Sequence, residues 1–261
     1  MDEHAPPPTA ADLGISDGEY ERIMRDLQKR QGIADPPERR SVPRWPFVLA
    51  GLVVGTLLLP RLVSAAPHDQ EPEYAFLQMV GDQPVTYSSC RPIQVAVYPA
   101  GGPPDAEELV NDAVAQMRAA TGLDIVVVGA FGGHAPNWNF EAAPITPEDP
   151  ISVSWQDGDA IAQMTDDVAG LGGSHSMTTA YGGERRVAGT IALSRHYYAL
   201  WHQQGDHAEE LAVLLHEFGH VLGLAHVDSP GELMSEENVG RKTLGPGDRE
   251  GLRLLGQGPC T

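Results

Sequence analysis

Between residues 93 and 256 the apolar positions fall into two patterns, short continuous runs and stripes at helical spacing, and the two alternate along the chain. IQVAVYP, residues 93–99, predicts a strand. In PPDAEELVNDAVAQMRAATG, residues 103–122, the apolar positions Leu109, Val110, Ala113, Val114 and Met117 recur at three- and four-residue steps, a helical stripe that stops at Gly122. LDIVVVGAF, residues 123–131, is apolar nearly throughout and predicts a strand buried on both faces. Together these form a βαβ unit, for which a right-handed crossover is expected. ISVSW (151–155) and RVAGTIALS (186–194) continue the sheet, while GLGGSHSMTTAYGG (170–183), with glycines at both ends, predicts an edge strand whose backbone is open to another chain. DHAEELAVLLHEFGHVLG, residues 206–223, is the longest helical pattern, running from Asp206 as a cap to Gly223 as a stop. TLGPGDREGLRLLG (243–256) predicts a last helix, and the Gly/Pro-rich stretch 132–150 a long surface loop. No internal repeat is present, and the class is α/β (α+β).

The N-terminal part reads differently. WPFVLAGLVVGTLLLP, residues 45–60, carries no charge and is flanked by Arg39, Arg40 and Arg44 before it and Arg61 after it. Extended through LVSAA, with Arg61 snorkelling, it approaches the roughly 20 residues of a membrane span. The basic flank predicts a cytoplasmic tail over 1–44, a membrane segment through residues 45–63, and everything after it outside the cell. A signal peptide cleaved near Ala66 and a secreted protein is the competing reading, since Ser64 and Ala66 fit a cleavage pattern; the long preceding segment argues against it. Within the tail, 1–14 is Pro/Ala-rich and expected to be disordered, and 16–32 predicts a short amphipathic helix, read as a solvated tail before a docking helix. The domain plan is thus tail 1–44, anchor or signal 45–66, linker 67–89 and an outer domain 90–261.

Charge narrows the partners. The 261 residues hold 17 Lys+Arg and 36 Asp+Glu, a formal net charge of −19 that repels phosphate and excludes nucleic acid. The two cysteines, Cys90 and Cys260, both fall on the outer side, where a disulfide is permitted. It would close a loop of roughly 170 residues and contribute up to about 5 kcal/mol. Two free thiols, or a thiolate on a metal, is the alternative.

The chemistry is concentrated in HEFGHVLGLAHVDSPGELM, residues 216–234. His216 and His220 are four apart and share one helix face, so they can bind one ion together. In a continued helix His226 would stand about 120° away from His220 around the axis, out of reach. Gly223 can end the helix in a left-handed conformation and return the third imidazole to the ion. Three neutral imidazoles with no thiolate leave one tetrahedral position to water, the mark of a catalytic zinc. Glu217, beside His216 but outside the ligand set, is the expected general base.

HEFGHVLGLAH resembles the HExxHxxGxxH signature of the metzincin zinc peptidases, and the eight-residue step from His226 to Met234, with Pro230 and Leu233 inside it, resembles the matrixin branch, including its small bacterial members. The resemblance covers about residues 90–256, with Asp248, Gly251 and Leu255 at matching places in the final helix. It implies a twisted, mostly parallel five-stranded sheet with an antiparallel edge strand, an active-site helix and a C-terminal helix. It also implies one zinc ion, Met234 as the Met-turn beneath it, and an edge strand over Gly172, Gly173, Ser174, His175, Ser176 and Met177 that pairs with an extended protein or peptide substrate. The chain departs from the family at Ser235 and Glu236, where Tyr-Pro is usual, and at Val227 and Asp228 after the third histidine, where animal members usually have Ser or Thr; no PRCGxPD cysteine switch is present. His175, His196, His202 and His207 stand in no recognisable ligand pattern and read as ordinary surface or edge histidines. The acidic stretch Asp157–Gly158–Asp159 could help bind Ca2+, although a turn fits it better.

These observations predict a zinc endopeptidase acting outside the cytoplasm, with His216, His220 and His226 on the metal and Glu217 acting on water. Two other functions fit the same motif: a surface binding or scaffold protein with a structural zinc, and a zinc amidohydrolase acting on cell-wall peptide.

Overall fold

The computed structural model describes residues 72–133, 146–179, 182–236 and 240–260. The expected tail, helix 16–32 and membrane or signal segment 45–66 lie outside them, as does most of the 132–150 loop. Among the described residues no helix is long and apolar enough to cross a membrane.

The elements run β1 (Ala75–Phe76), β2 (Met79–Val80), β3 (Gln83–Pro84), β4 (Ile93–Tyr98), α1 (Ala106–Thr121), β5 (Ile125–Ala130), β6 (Ile151–Gln156), β7 (Gly170–Thr178), β8 (Glu184–Ser194), α2 (Arg195–Gln204), α3 (His207–Leu222), β9 (Leu224–Ala225) and α4 (Pro246–Leu255). A five-stranded sheet with the order β5-β4-β6-β8-β7 forms the frame. β4 runs parallel to β5 and β6, β6 parallel to β8, and β7 antiparallel to β8 at the edge. This is the mostly parallel five-stranded sheet with an antiparallel edge strand that the sequence led one to expect.

One layer of helices packs against the sheet. α1 buries Leu109, Val110, Ala113, Val114 and Met117, the stripe read from the sequence, and touches both α3 and α4. α3 lies against β7 and β8. The core between the layers holds Val95, Val153, Ile191, Leu214, Phe218 and Val221, all essentially inaccessible. Ile161 and Met164, from the segment before β7, form a smaller cluster with Ala192.

The structure differs from the sequence pattern at three places. β5, expected to be buried on both faces, is the other edge strand: Ile125 is buried, but Val128 is 43% exposed, and among the described residues only β4 pairs with it. α2 was not expected at all; it starts without a loop, because Ser194 both ends β8 and caps the helix by accepting the Tyr197 N–H. Tyr198 and Trp201 then pack edge-on at 5.3 Å, and Tyr198 meets Trp155 of β6 at 5.9 Å. The third concerns the expected linker, whose described part lies on the domain. β1 pairs antiparallel with β9, the Leu77 N–H donates to the Gly223 carbonyl at 2.9 Å, and Val85, Thr86, Tyr87 and Ser88 are buried. Cys90 and Cys260 form a disulfide, with their Cα atoms 5.1 Å apart.

Candidate metal centre and active site

The site is built from α3 and the turn that follows it. Leu214, Leu215, Phe218, Val221 and Leu222 bury one side of this helix. That fixes its rotation and turns His216 and His220, one helical turn apart, toward an open cleft. The helix stops at Gly223, whose φ of 125° is a conformation that a side chain would resist. The chain then reverses, β9 pairs with β1, and His226 returns to the face it would otherwise have left.

The three Nε2 atoms lie 3.0 to 3.1 Å from one another. His216 Nδ1–H donates to the Leu233 carbonyl at 2.8 Å and His220 Nδ1–H to the Leu224 carbonyl at 2.9 Å. With their protons committed to Nδ1, both Nε2 atoms present lone pairs to the same point. Such a convergence is repulsive without a cation among the nitrogens. A tetrahedral zinc with bonds of about 2.0–2.1 Å has edges of about 3.3–3.4 Å, so closing the site on an ion takes shifts of a few tenths of an ångström. Burial pushes the His216 imidazolium down to about 4 and the His220 imidazolium down to about 3, and neighbouring imidazoles add to both effects. Both rings are therefore neutral at pH 7, the form in which imidazole binds a metal. The residues present fit zinc.

Glu217 sits one residue on from His216 and is only 7% exposed. Its carboxyl group lines the same cleft and is hydrogen-bonded by the Gly172 backbone, while burial pushes its pKa up to about 8. β7 can lie this close because of its glycines. A Cβ on Gly170 would stand 2.8 Å from Glu217 Cγ, and one on Gly172 would run into the Glu217 backbone carbonyl.

Met234 is buried under the helix; a Cβ on Gly219 would stand 2.5 Å from its Sδ. Two buried carboxylates hold this turn. Asp248 accepts the N–H groups of Leu233 at 2.6 Å, Met234 at 3.2 Å and Gly245 at 2.6 Å. Glu232 Oε2 accepts those of Gly247 and Asp248 at 2.9 and 3.0 Å. The sequence placed Asp248 in the last helix without a role; its part in fixing Leu233, and through the Leu233 carbonyl His216, emerges only from the fold.

The cleft measures about 640 Å³ and is lined by the three histidines, Glu217, Val213, Leu77, the 167–172 stretch, Ser235 and Glu236. Of the edge-strand residues expected to meet substrate, Gly172 lines it. Gly173, Ser174, His175, Ser176 and Met177 continue along β7 beyond the cleft, with Ser174 Oγ accepting a hydrogen bond from Arg186 at 2.6 Å. The strand and the preceding turn thus meet the cleft further toward the N-terminus than the glycine pattern suggested, at Asp167 to Leu171. Leu77, placed in the linker by sequence, forms part of the wall. The Asp157–Asp159 stretch is a turn: Asp157 Oδ1 accepts the N–H groups of Asp159 and Ala160, and Oδ2 pairs with Arg195 at 2.8 Å, which leaves no support for calcium there.

Comparison with curated protein sequences gives no match. Among solved structures, a zinc-dependent peptidase from Methanocorpusculum labreanum (strain Z) aligns over 61% of this chain and 99% of its own, at 16% identity and a TM-score of 0.36. The family model for matrixins, a family of zinc metallopeptidases, matches residues 119–255, a span that runs from the end of α1 through β7, the histidine helix and Met234 to the last residue of α4. Since that match covers more than half of the chain and includes every residue that converges on the metal centre, the protein belongs to the matrixin family.

Proposed function

We propose that this zinc metallopeptidase is an endopeptidase acting outside the cytoplasm, in which His216, His220 and His226 hold the zinc and Glu217 is the general base. The observation that carries the reading is the convergence of three Nε2 atoms within 3.1 Å, with the Glu217 carboxyl group on the same cleft. A zinc ion bound there supplies Lewis acidity, acidifying a water and polarising the scissile carbonyl. The Leu233 and Leu224 carbonyls fix the His216 and His220 rings, so that their lone pairs need no reorientation on binding. Glu217 takes a proton from the attacking water as its oxygen bonds to the carbonyl carbon, then delivers that proton to the amide nitrogen as the C–N bond breaks. The Gly172 hydrogen bond aims the carboxylate for both transfers. The outer edge of β7 supports an extended substrate, because a peptide can add to it as a further strand. The cleft is open rather than a closed cavity, which suits cleavage within a chain. Met234 acts as an apolar floor, and Ser235 and Glu236 form the wall where a substrate side chain would lie.

The Cys90–Cys260 disulfide supports an oxidising, extracytoplasmic location. N-terminal sequencing of the mature protein separates a chain held by the 45–66 segment from one released near Ala66.

The test of the mechanism is Glu217→Ala. The variant is expected to keep one zinc at the triad and a native circular dichroism spectrum while losing about 10²–10⁴-fold in peptide hydrolysis. Undiminished hydrolysis by the pure variant refutes the role of Glu217. Wild-type protein that holds zinc yet cleaves nothing in a broad peptide library would point instead to a scaffold, and cleavage confined to cell-wall peptides to an amidohydrolase.

A further inference from the structure

Away from the cleft, a second group of metal-ligating side chains comes together where α1, α2 and α3 meet. Asp105 immediately precedes α1, His202 lies in the last turn of α2, and Glu210 lies in the first turn of α3. His202 Nδ1 stands 3.5 Å from Asp105 Oδ1 and 3.7 Å from Glu210 Oε1, and the three atoms all lie within 4.8 Å of one another. A tetrahedral ion with nitrogen and oxygen ligands at about 2.0–2.2 Å has edges of about 3.3–3.6 Å, so two of the three separations are already close to what zinc requires.

Two features distinguish this group from an ordinary surface ion pair. The Glu210 side chain is 1% exposed, and among the described residues neither its Oε1 nor Asp105 Oδ1 has a hydrogen-bond partner. A buried carboxylate oxygen in that state is costly unless a cation neutralises it. Asp105 also holds the position that normally caps a helix, yet its side chain makes no cap bond to α1 and turns to the cluster instead. Burial, and next the Asp105 charge, hold the Glu210 carboxyl group above its ordinary range, as expected for two carboxylates facing each other without enough positive charge. His207 Nδ1 approaches the opposite oxygens, 3.7 Å from Asp105 Oδ2 and 3.4 Å from Glu210 Oε2, which steadies the carboxylates and leaves Oδ1 and Oε1 facing His202.

We propose that Asp105, His202 and Glu210 bind a second zinc ion, which clasps the start of α1 and the end of α2 to the first turn of the helix that carries the histidine triad. An imidazole nitrogen with two carboxylate oxygens suits zinc better than calcium or magnesium, which take oxygen ligands. His202 and Asp105 are partly exposed, so the ion can enter from solvent and rest on the buried Glu210. Glu210 precedes His216 by six residues, about 9 Å along the helix, so this ion would brace the triad's helix without contacting substrate.

The test uses the full chain carrying His216→Ala and His220→Ala, which dismantle the first site. After chelation and dialysis against zinc, this variant is expected to retain one zinc equivalent by elemental analysis, and wild type two. Adding His202→Ala, or separately Glu210→Gln, should remove that equivalent while the circular dichroism spectrum is kept. Zinc at a hundred times its dissociation constant should raise the melting temperature of the double variant by about 5–10 °C and leave the His202→Ala version unmoved. His202 is 38% exposed, so its alanine variant tests the ligand set even should Glu210→Gln fail to fold. A double variant that holds no zinc, or zinc that persists without His202, overturns the proposal and leaves a cluster of histidine–carboxylate ion pairs.

Discussion

Replacing Asp248 tests whether the floor of the histidine site is held from the C-terminal helix. The carboxylate is 1% exposed and accepts three backbone N–H groups, from Leu233, Met234 and Gly245. In Asp248→Ala all three donors lose their acceptor inside the domain. Each orphaned group costs about 1–3 kcal/mol, and with partial relaxation of the turn the total comes to about 4 kcal/mol. Asp248→Asn is milder. An amide oxygen in the place of Oδ2 keeps the Leu233 and Gly245 bonds, both 2.6 Å, and sacrifices the 3.2 Å bond to Met234 along with the charge. That loss is worth about 2 kcal/mol. For a domain of this size about 2–4 °C accompanies each kcal/mol, so melting should fall by about 8–16 °C for alanine and about 4–8 °C for asparagine.

Melting should be followed by circular dichroism on chelated protein, so that zinc binding does not mask the difference. A second readout separates a local role from a global one. The Leu233 carbonyl orients His216, so Asp248→Asn, which still folds, should weaken zinc binding by about 10–100-fold. An alanine variant melting within about 2 °C of wild type would refute the claim that these hydrogen bonds hold the turn. Unaltered zinc affinity in the asparagine variant would break the link from Asp248 to His216.

Gly172→Ala should lower the melting temperature and peptide hydrolysis together, because its methyl group meets the Glu217 carbonyl and forces β7 off the helix; wild-type turnover in that variant would show that the strand has room to move. Reducing the Cys90–Cys260 bond, or replacing both cysteines by serine, should lower stability in urea by up to about 5 kcal/mol, and an unchanged midpoint would mean that packing alone ties the chain end to the start of the domain.

What could be read from the sequence depended on whether the determining contacts were local. α1 and α3 were legible because an apolar stripe and a terminal glycine are both properties of neighbouring residues, and the triad was legible because a helical turn and one glycine relate its members. α2 was missed although Ser194, the spacing of Tyr197, Tyr198 and Trp201, and Gly205 were all present. The apolar run of β8 passes straight into it, so the change of period had no loop to mark it. The apolar character of β5 was read correctly but its place was not, since an apolar run does not say whether a neighbouring strand lies on one side or two.

The same distinction accounts for the residues whose roles appeared only in three dimensions. Leu77 reaches the cleft because β1 pairs with β9, a contact across about 150 residues that two-residue strands cannot announce in their composition. Asp105, His202 and Glu210 share no motif, because each is brought in by a different helix end. Asp105 reads as a cap, His202 as a surface histidine and Glu210 as a favourable charge in a first turn, and each local reading is reasonable by itself. They conflict only when superimposed: the cap makes no cap bond and the first-turn glutamate is buried. Two local rules broken at one point, with an imidazole between them, is the pattern expected where a ligand rather than the chain itself completes the structure.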